Sequence, residues 1–218
     1  MPTVLSTKIL SLAQKNLLLN SGIALVEYDA IKINFIDFDY PRFIKNAIVT
    51  SQNTALAISQ NDIRIGKCFC VGSKTANYLK QQGFNVVEVA DYSKDLGAII
   101  SANYSDQSFT LFCGNRRREE LPSILKEKNI LLEEIEVYRT HLDPVSFEQK
   151  FDGILFYSPS GVKSYISANV LNGSRAFCIG NTTAAEAEKH TENIITATKP
   201  SVENVIVQVV KKFKDDKK

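Results

Sequence analysis

Short runs of hydroxyl, glycine and amide residues recur along this sequence. They are Thr7-Lys8, Ser51-Gln52, Gly72-Ser73-Lys74-Thr75, Gly114-Asn115-Arg116, Ser158-Pro159-Ser160-Gly161 and Gly180-Asn181-Thr182-Thr183. Each follows an apolar run and leads into good helix formers, the pattern of a buried strand turning into a helix. A helix start presents unpaired N–H groups and the positive end of the helix dipole, so turns of this composition suit anions. Taken one at a time, each is equally an ordinary cap. Ser51, Ser158 and Thr182 are favourable N-cap residues, and Thr183 with Glu186 makes a T-x-x-E capping box. Residues 116–118, all arginine, read either as a solvated helix start or as a carboxylate clamp. Lys8 and Arg116 are the cations placed to pair with ligand carboxylates.

Several familiar chemistries are excluded. There is no Ser/His/Asp set, no G-x-S-x-G, and no carboxylate pair at the turns. G-x-G-x-x-G is absent, and Gly114-Asn-Arg-Arg-Arg is not a Walker loop, because G-x-x-x-x-G-K-[ST] occurs nowhere. His141 and His190 are the only histidines, and the four cysteines (Cys68, Cys70, Cys113, Cys178) show no C-x-x-C, so no metal site is expected. Three of those cysteines end predicted buried strands and read as small apolar residues. Free thiols of this kind indicate a reducing cytosol.

The elements that position these turns come as a repeat. Gly72 and Thr75 recur as Gly180 and Thr183 at an offset of 108 (180 − 72, 183 − 75). Phe69/Phe177, Cys70/Cys178 and Ala76/Ala184 share that offset, as do Phe84-Asn-Val-Val and Glu192-Asn-Ile-Ile. Ser51 and Ser158 stand at the same strand–helix junction of each copy, and Pro159 suits the first helical position. Before the first copy, the sequence predicts a strand over 3–7, a helix from the Ser11/Gln14 capping box to Leu19 with Gly22 beyond its end, and a strand over 23–28. After the second, a helix is expected over 201–212 and a solvated tail over 211–218.

Alternating strands and helices predict an α/β fold with a parallel, doubly wound sheet in each of two similar domains. The second copy is short of a full sheet, and the N-terminal strand–helix–strand completes it. One domain is therefore expected to be discontinuous, 1–33 plus 143–218, with 36–139 inserted and 28–36 and 134–142 as a two-stranded connector. In open α/β sheets ligands bind beyond the carboxyl ends of the strands, where every turn named above falls. Two such domains facing each other would line one cleft.

At 218 residues, 44 % hydrophobic and 23 % charged, the chain can build two cores. A formal charge of +2 supplies no field for nucleic acid. No apolar run reaches the ~18 residues that span a bilayer, and no signal peptide is visible. A cytoplasmic protein without membrane or nucleic-acid partners is expected.

At these same residues the sequence resembles the uroporphyrinogen-III synthase family. The matching words are Phe156-Tyr-Ser-Pro-Ser-Gly-Val, Ile179-Gly-Asn-Thr-Thr-Ala, Val49-Thr-Ser-Gln-Asn, Val71-Gly-Ser-Lys-Thr-Ala, Phe112-Cys-Gly-Asn-Arg-Arg-Arg with Leu121-Pro122, and Tyr138-Arg-Thr. No single word is specific, but their order is, and together they cover essentially the whole chain. The resemblance implies a cofactor-free enzyme that closes hydroxymethylbilane, a carboxylate-rich linear tetrapyrrole. Water leaves ring A to give an azafulvene, ring D attacks through its substituted carbon, and a spiro intermediate recloses with that ring inverted. It implies substrate-binding positions at Ser51, Thr75, Gly114, Ser158, Ser160, Gly161, Thr182 and Thr183. Tyr138 is implied as the group assisting hydroxide departure; a phenol is a weak acid, so that role needs hydrogen-bond geometry. A monomer is expected, with transient contact to the deaminase that supplies the substrate. The alternative is a non-catalytic cytosolic two-domain binding protein or sensor for a polycarboxylate.

Overall fold

The computed structural model describes residues 1–215. In chain order its first half comprises β1 (Thr3–Ser6), α1 (Leu12–Leu19), β2 (Ala24–Glu27), β3 (Ile31–Phe35), β4 (Phe43–Val49), α2 (Gln52–Ser59), β5 (Arg64–Val71), α3 (Ser73–Gln81) and β6 (Val86–Ala90). Then follow α4 (Ser93–Asn103), β7 (Phe109–Gly114), α5 (Glu120–Glu127), β8 (Leu132–Leu142), β9 (Gly153–Phe156), α6 (Pro159–Ala168), β10 (Arg175–Cys178), α7 (Asn181–Ala187), β11 (Ile194–Thr196) and α8 (Val202–Asp215). Backbone contacts divide these into two compact units: Met1–Lys32 together with the chain from His141, and Ile33–Thr140. The chain crosses from one to the other inside β3 and again inside β8.

The discontinuous unit holds a five-stranded sheet in the order β11-β10-β9-β1-β2, every pair parallel. The continuous unit holds a six-stranded sheet, β3-β8-β7-β4-β5-β6, parallel from β8 to β6. Strands buried on both faces read as near-continuous apolar runs, as Ala47-Ile48-Val49 and Ile154-Leu155-Phe156 do here, all fully buried. Alternate residues feed opposite layers. Ala47, Val49, Cys68 and Cys70 pack under α2 and α3, whereas Ile48 and Phe69 pack under α4 and α5. In the other unit Ile154, Phe156 and Cys178 face α6 and α7, whereas Leu155 and Phe177 face α1 and α8.

The repeat is carried down to single hydrogen bonds. Cys68 N–H donates to the Asn85 carbonyl at 2.8 Å, and Ala176 to Asn193 at 2.9 Å. Ala76 donates to Gly72 at 3.1 Å, and Ala184 to Gly180 at 3.0 Å. Cys68 pairs with Val86 as Ala176 pairs with Ile194. The N-terminal β1-α1-β2 takes in its sheet the place that β7-α5-β8 takes in the other, and α1 packs on α8 as α4 packs on α5. One unit is thus a circular permutation of the other.

Local signals explain most boundaries. Ser11 and Gln14 form both halves of a capping box, and Ser51 and Ser158 each accept from the backbone N–H three residues on. Three expectations need correction. The helix after β10 begins at Asn181 with extended Gly180 as its N-cap, so Thr182 and Thr183 lie inside the first turn and the Thr183/Glu186 capping box does not form. Glu186 instead meets Lys189 at 2.9 Å. Residues 116–118 precede rather than start a helix, because α5 begins at Glu120. Finally, residues 211–215 continue α8: Phe213 extends the apolar stripe of Val205, Ile206 and Val209, and its ring lies 6.0 Å from that of Phe177. The rest of the expected tail, 216–218, falls outside the described residues.

Candidate active site

In both sheets the strand order reverses once, between β4 and β7 and between β9 and β1. Neighbouring connections there leave in opposite directions, so the carboxyl ends of the two strands open a crevice. The residues beyond β4 and β7 are Ser51 and the Gly114 turn; those beyond β9 and β1 are Ser158 and Thr7.

In the continuous unit, Ser51 caps α2, its Oγ accepting from Thr54 N–H at 3.0 Å and sharing a 2.8 Å hydrogen bond with Thr54 Oγ1. Tyr138, on β8, brings its Oη to 3.4 Å from the same Oγ, a looser approach than an ordinary O–H···O bond. The half-buried ring lies flat on Gly114. A Cβ built at that glycine would stand 2.4 Å from Tyr138 Cζ and 2.9 Å from its Oη, so no other residue leaves the ring where it is. Ser51, Gly114 and Tyr138 are therefore brought together.

That corner is made by an irregularity. Phe112 pairs with Ile135 and Cys113 with Glu136, but Gly114 pairs with Tyr138, so β8 slips by one residue against β7. Beyond the slip, Asn115 N–H donates to the Tyr138 carbonyl at 3.2 Å, and Asn115 Oδ1 accepts from Thr140 N–H at 2.8 Å. Arg116 Nε donates to the Thr140 carbonyl at 3.3 Å. Arg117 is engaged with Glu134 through two nitrogens, one at 2.9 Å, and with Glu119 at 2.7 Å. It serves its own surface.

In the discontinuous unit, Ser158 caps α6 through Gly161 N–H at 3.0 Å, with Pro159 in the first turn. Thr7 lies opposite, its Oγ1 donating to the Leu155 carbonyl at 2.8 Å. A Cβ at Gly161 would sit 3.4 Å from Thr7 Oγ1 and 3.5 Å from Ser158 Oγ. Ser158 and Gly161 are brought together, and Ser160 lies in the same first turn, half-exposed. Thr75 and Thr183 occupy the third position of α3 and α7, both buried, at 4 % and 1 % exposure. Thr182 and Lys8 are exposed.

Sequence reasoning named Thr7 and Asn115 only as members of candidate turns, and gave no site role to Thr54 or Thr140. Thr54 had a signal, since it stands at the Gly161 position of the repeat (161 − 54 = 107). The pairing of Asn115 with Thr140 had none, because it depends on the slip.

Among the described residues no group of three metal-capable side chains occurs. All four cysteines are free and buried. Burial pushes the Cys68, Cys70 and Cys178 thiols up to about 12 and Cys113 to about 11. They stay protonated and do not act as nucleophiles. The chemistry on offer is that of hydroxyls, one phenol and backbone N–H groups at the starts of α2 and α6.

The model of the family described as Uroporphyrinogen-III synthase HemD matches residues 15–206. Two solved structures share the fold. A uroporphyrinogen-III synthetase from Helicobacter pylori is 18 % identical with a TM-score of 0.71, over 97 % of this chain and 99 % of that one. A mutant uroporphyrinogen III synthase from Thermus thermophilus is 12 % identical with a TM-score of 0.68, over 99 % and 100 %. No curated protein matches the chain.

Proposed function

This chain belongs to the uroporphyrinogen-III synthase family, and we propose that Tyr138 assists the loss of water with which its reaction begins. The enzyme is a lyase of tetrapyrrole biosynthesis that cyclises hydroxymethylbilane with inversion of ring D. The observation that carries the site assignment is the phenol of Tyr138, seated on Gly114 at the switch point with Oη beside Ser51 Oγ.

At the ring A hydroxymethyl group, the pyrrole nitrogen's electrons push out the C–O bond while a proton reaches the departing oxygen. In this reading Tyr138 Oη gives that proton, the pyrrole N–H gives one up in turn, and water and an azafulvene result. Ring D then attacks the exocyclic carbon of the azafulvene through its own substituted carbon, forming the spiro centre. The bond from that centre to the ring C bridge then breaks, leaving an azafulvene on ring C. The free α-carbon on the other side of ring D's nitrogen attacks the exocyclic carbon of that azafulvene, and loss of the proton on that α-carbon restores the aromatic pyrrole with ring D inverted. Once water has left, the steps are carbon–carbon bond changes governed by which carbon faces which. Positioning can contribute much of the rate in such a reaction.

Substrate carboxylates are taken by the N–H groups and hydroxyls at Ser51, Thr75, Ser158, Ser160, Gly161, Thr182 and Thr183, with Gly114 as the surface under the phenol. Capped N-termini of α2 and α6 support this part of the reading. Each unit is proposed to be a domain in its own right, with β3 and β8 as the connector. We place the enzyme in the cytoplasm as a monomer, taking its substrate from the deaminase that makes it. Free buried thiols suit that compartment, and no described helix is long and apolar enough to cross a membrane.

The test is Tyr138→Phe, which removes the proton and keeps the ring. We expect kcat to fall about 10²-fold with KM held within about twofold. An unchanged kcat would remove Tyr138 from the chemistry.

A further inference from the structure

We infer that Asn115 is the positioning residue for Tyr138, holding the phenol at its working angle through the main chain of residues 138–140. The inference rests on the reading that Tyr138 acts on the substrate.

Up to Cys113 the strand β7 supports β8 in one register; after the slip Gly114 pairs with Tyr138, and that is the last pair of the ladder. Gly114 offers the ring a floor and no side chain to hold it. Beyond this point β8 would run on with free backbone groups on that side. Asn115 closes the gap twice. Its N–H takes the Tyr138 carbonyl at 3.2 Å, and its side-chain Oδ1 takes the Thr140 N–H at 2.8 Å, standing in for the next strand carbonyl. Arg116 Nε takes the Thr140 carbonyl at 3.3 Å. Thr140 is buried, so the polar groups held here have little access to water and do not readily trade these bonds for hydration.

A phenol ring is a lever: a small rotation of the backbone at residue 138 swings Oη through a larger arc than it moves Cα. Tyr138 Oη meets Ser51 Oγ only at 3.4 Å, too loosely for that contact to fix its direction. The aim of the phenol is therefore set from behind, by the strand, and Asn115 supplies the shorter of the two side-chain contacts, with Arg116 the other, that fix the strand after the slip. The hydrogen bonds of Asn115 described here go to main chain, and it acts through Tyr138 rather than on the substrate.

The test is a double-mutant cycle with an isomer-resolved product readout on hydroxymethylbilane. Asn115→Ala removes the Oδ1 acceptor and is expected to lower kcat about tenfold with KM within about twofold. It is also expected to raise the fraction of uninverted isomer I. Asn115→Asp keeps an oxygen acceptor in place and is expected to stay within about threefold of wild type. In the Tyr138→Phe background, Asn115→Ala is expected to add little, because there is no longer a proton donor to aim. Thermal melts of each variant separate loss of fold from loss of aim. Normal turnover and isomer ratio in Asn115→Ala, with Tyr138→Phe impaired, would overturn the positioning role and leave the Tyr138 assignment standing. Full additivity of the two substitutions would overturn it as well. Normal turnover in Tyr138→Phe would remove the Tyr138 assignment and this inference with it.

Discussion

Ser51 and Ser158 cap equivalent helices at equivalent switch points, and each faces a different neighbour. In the continuous unit the opposite turn carries Gly114, and the space its missing side chain leaves is filled by the ring of Tyr138. In the discontinuous unit the glycine has moved to the capped helix itself, at Gly161, and the space is taken by Thr7. Each unit thus removes one side chain at its crevice, but the space is filled by a phenol in one and a threonine in the other. The frame is duplicated down to single backbone hydrogen bonds, whereas the phenol proposed to act on the substrate stands in one copy. Duplication supplied two serine-capped helix starts, and a one-residue slip between β7 and β8 supplied the corner that seats the phenol.

Matched substitutions put that difference to the test. Phe69 and Phe177 are fully buried at the same position of the repeat. Replacing either with alanine is expected to cost about 3–5 kcal/mol in denaturant unfolding. A large inequality between the two would show that the units do not share a core plan. Gly114→Ala drives a methyl group into the Tyr138 ring and is expected to lower kcat/KM about 10²-fold. Gly161→Ala meets only contacts of 3.4 Å and longer and should cost less than about tenfold. Equal losses would erase the asymmetry between the two crevices.

A third pair concerns the backbone. Gly72 has φ +86°, ψ 132°, a conformation closed to other residues, whereas its counterpart Gly180 is extended at φ −178° with open space around it. Gly72→Ala is expected to destabilise by about 1–3 kcal/mol. Gly180→Ala should stay within about 0.5 kcal/mol of neutral or stabilise slightly. A further test is in pH dependence. Burial raises the folded-state values of Cys70 and Cys178 from near 9 to about 12. The unfolded chain therefore loses these protons first as pH rises. Stability is fully present below about pH 9 and falls as pH climbs from there towards 12. Unfolding free energy measured from about pH 8 to about pH 11 should decline less steeply in Cys178→Ala than in wild type. An identical slope would show that this thiol is not coupled to folding.

The fold was legible because its signals are local or periodic. Apolar runs ending in Ser51, Gly72, Ser158 and Gly180 mark strand ends whatever surrounds them, and the offset of 108 exposes the duplication. The serine caps were legible for the same reason, since a cap reaches only three residues. What escaped depends on neighbours remote in sequence. Phe213 hides within a run of lysines, and its packing against Phe177, on the stretch by which the helix outruns Lys212, shows only in the fold. Thr182 and Thr183 look like caps, but Gly180 opens the helix earlier and buries Thr183 in its first turn. Arg117 is engaged with Glu134 on another element, which a string of three arginines does not reveal. The roles of Asn115 and Thr140 come from a register slip, which no residue pattern records.

Everything above turns on whether this chain imposes ring inversion on a cyclisation that otherwise proceeds without it. The decisive measurement is to give the purified protein fresh hydroxymethylbilane in buffer without added metal or cofactor, and to resolve the oxidised products by chromatography. Predominantly isomer III, formed faster than the spontaneous reaction, is the predicted result. Isomer I alone, at the rate seen without protein, would contradict it.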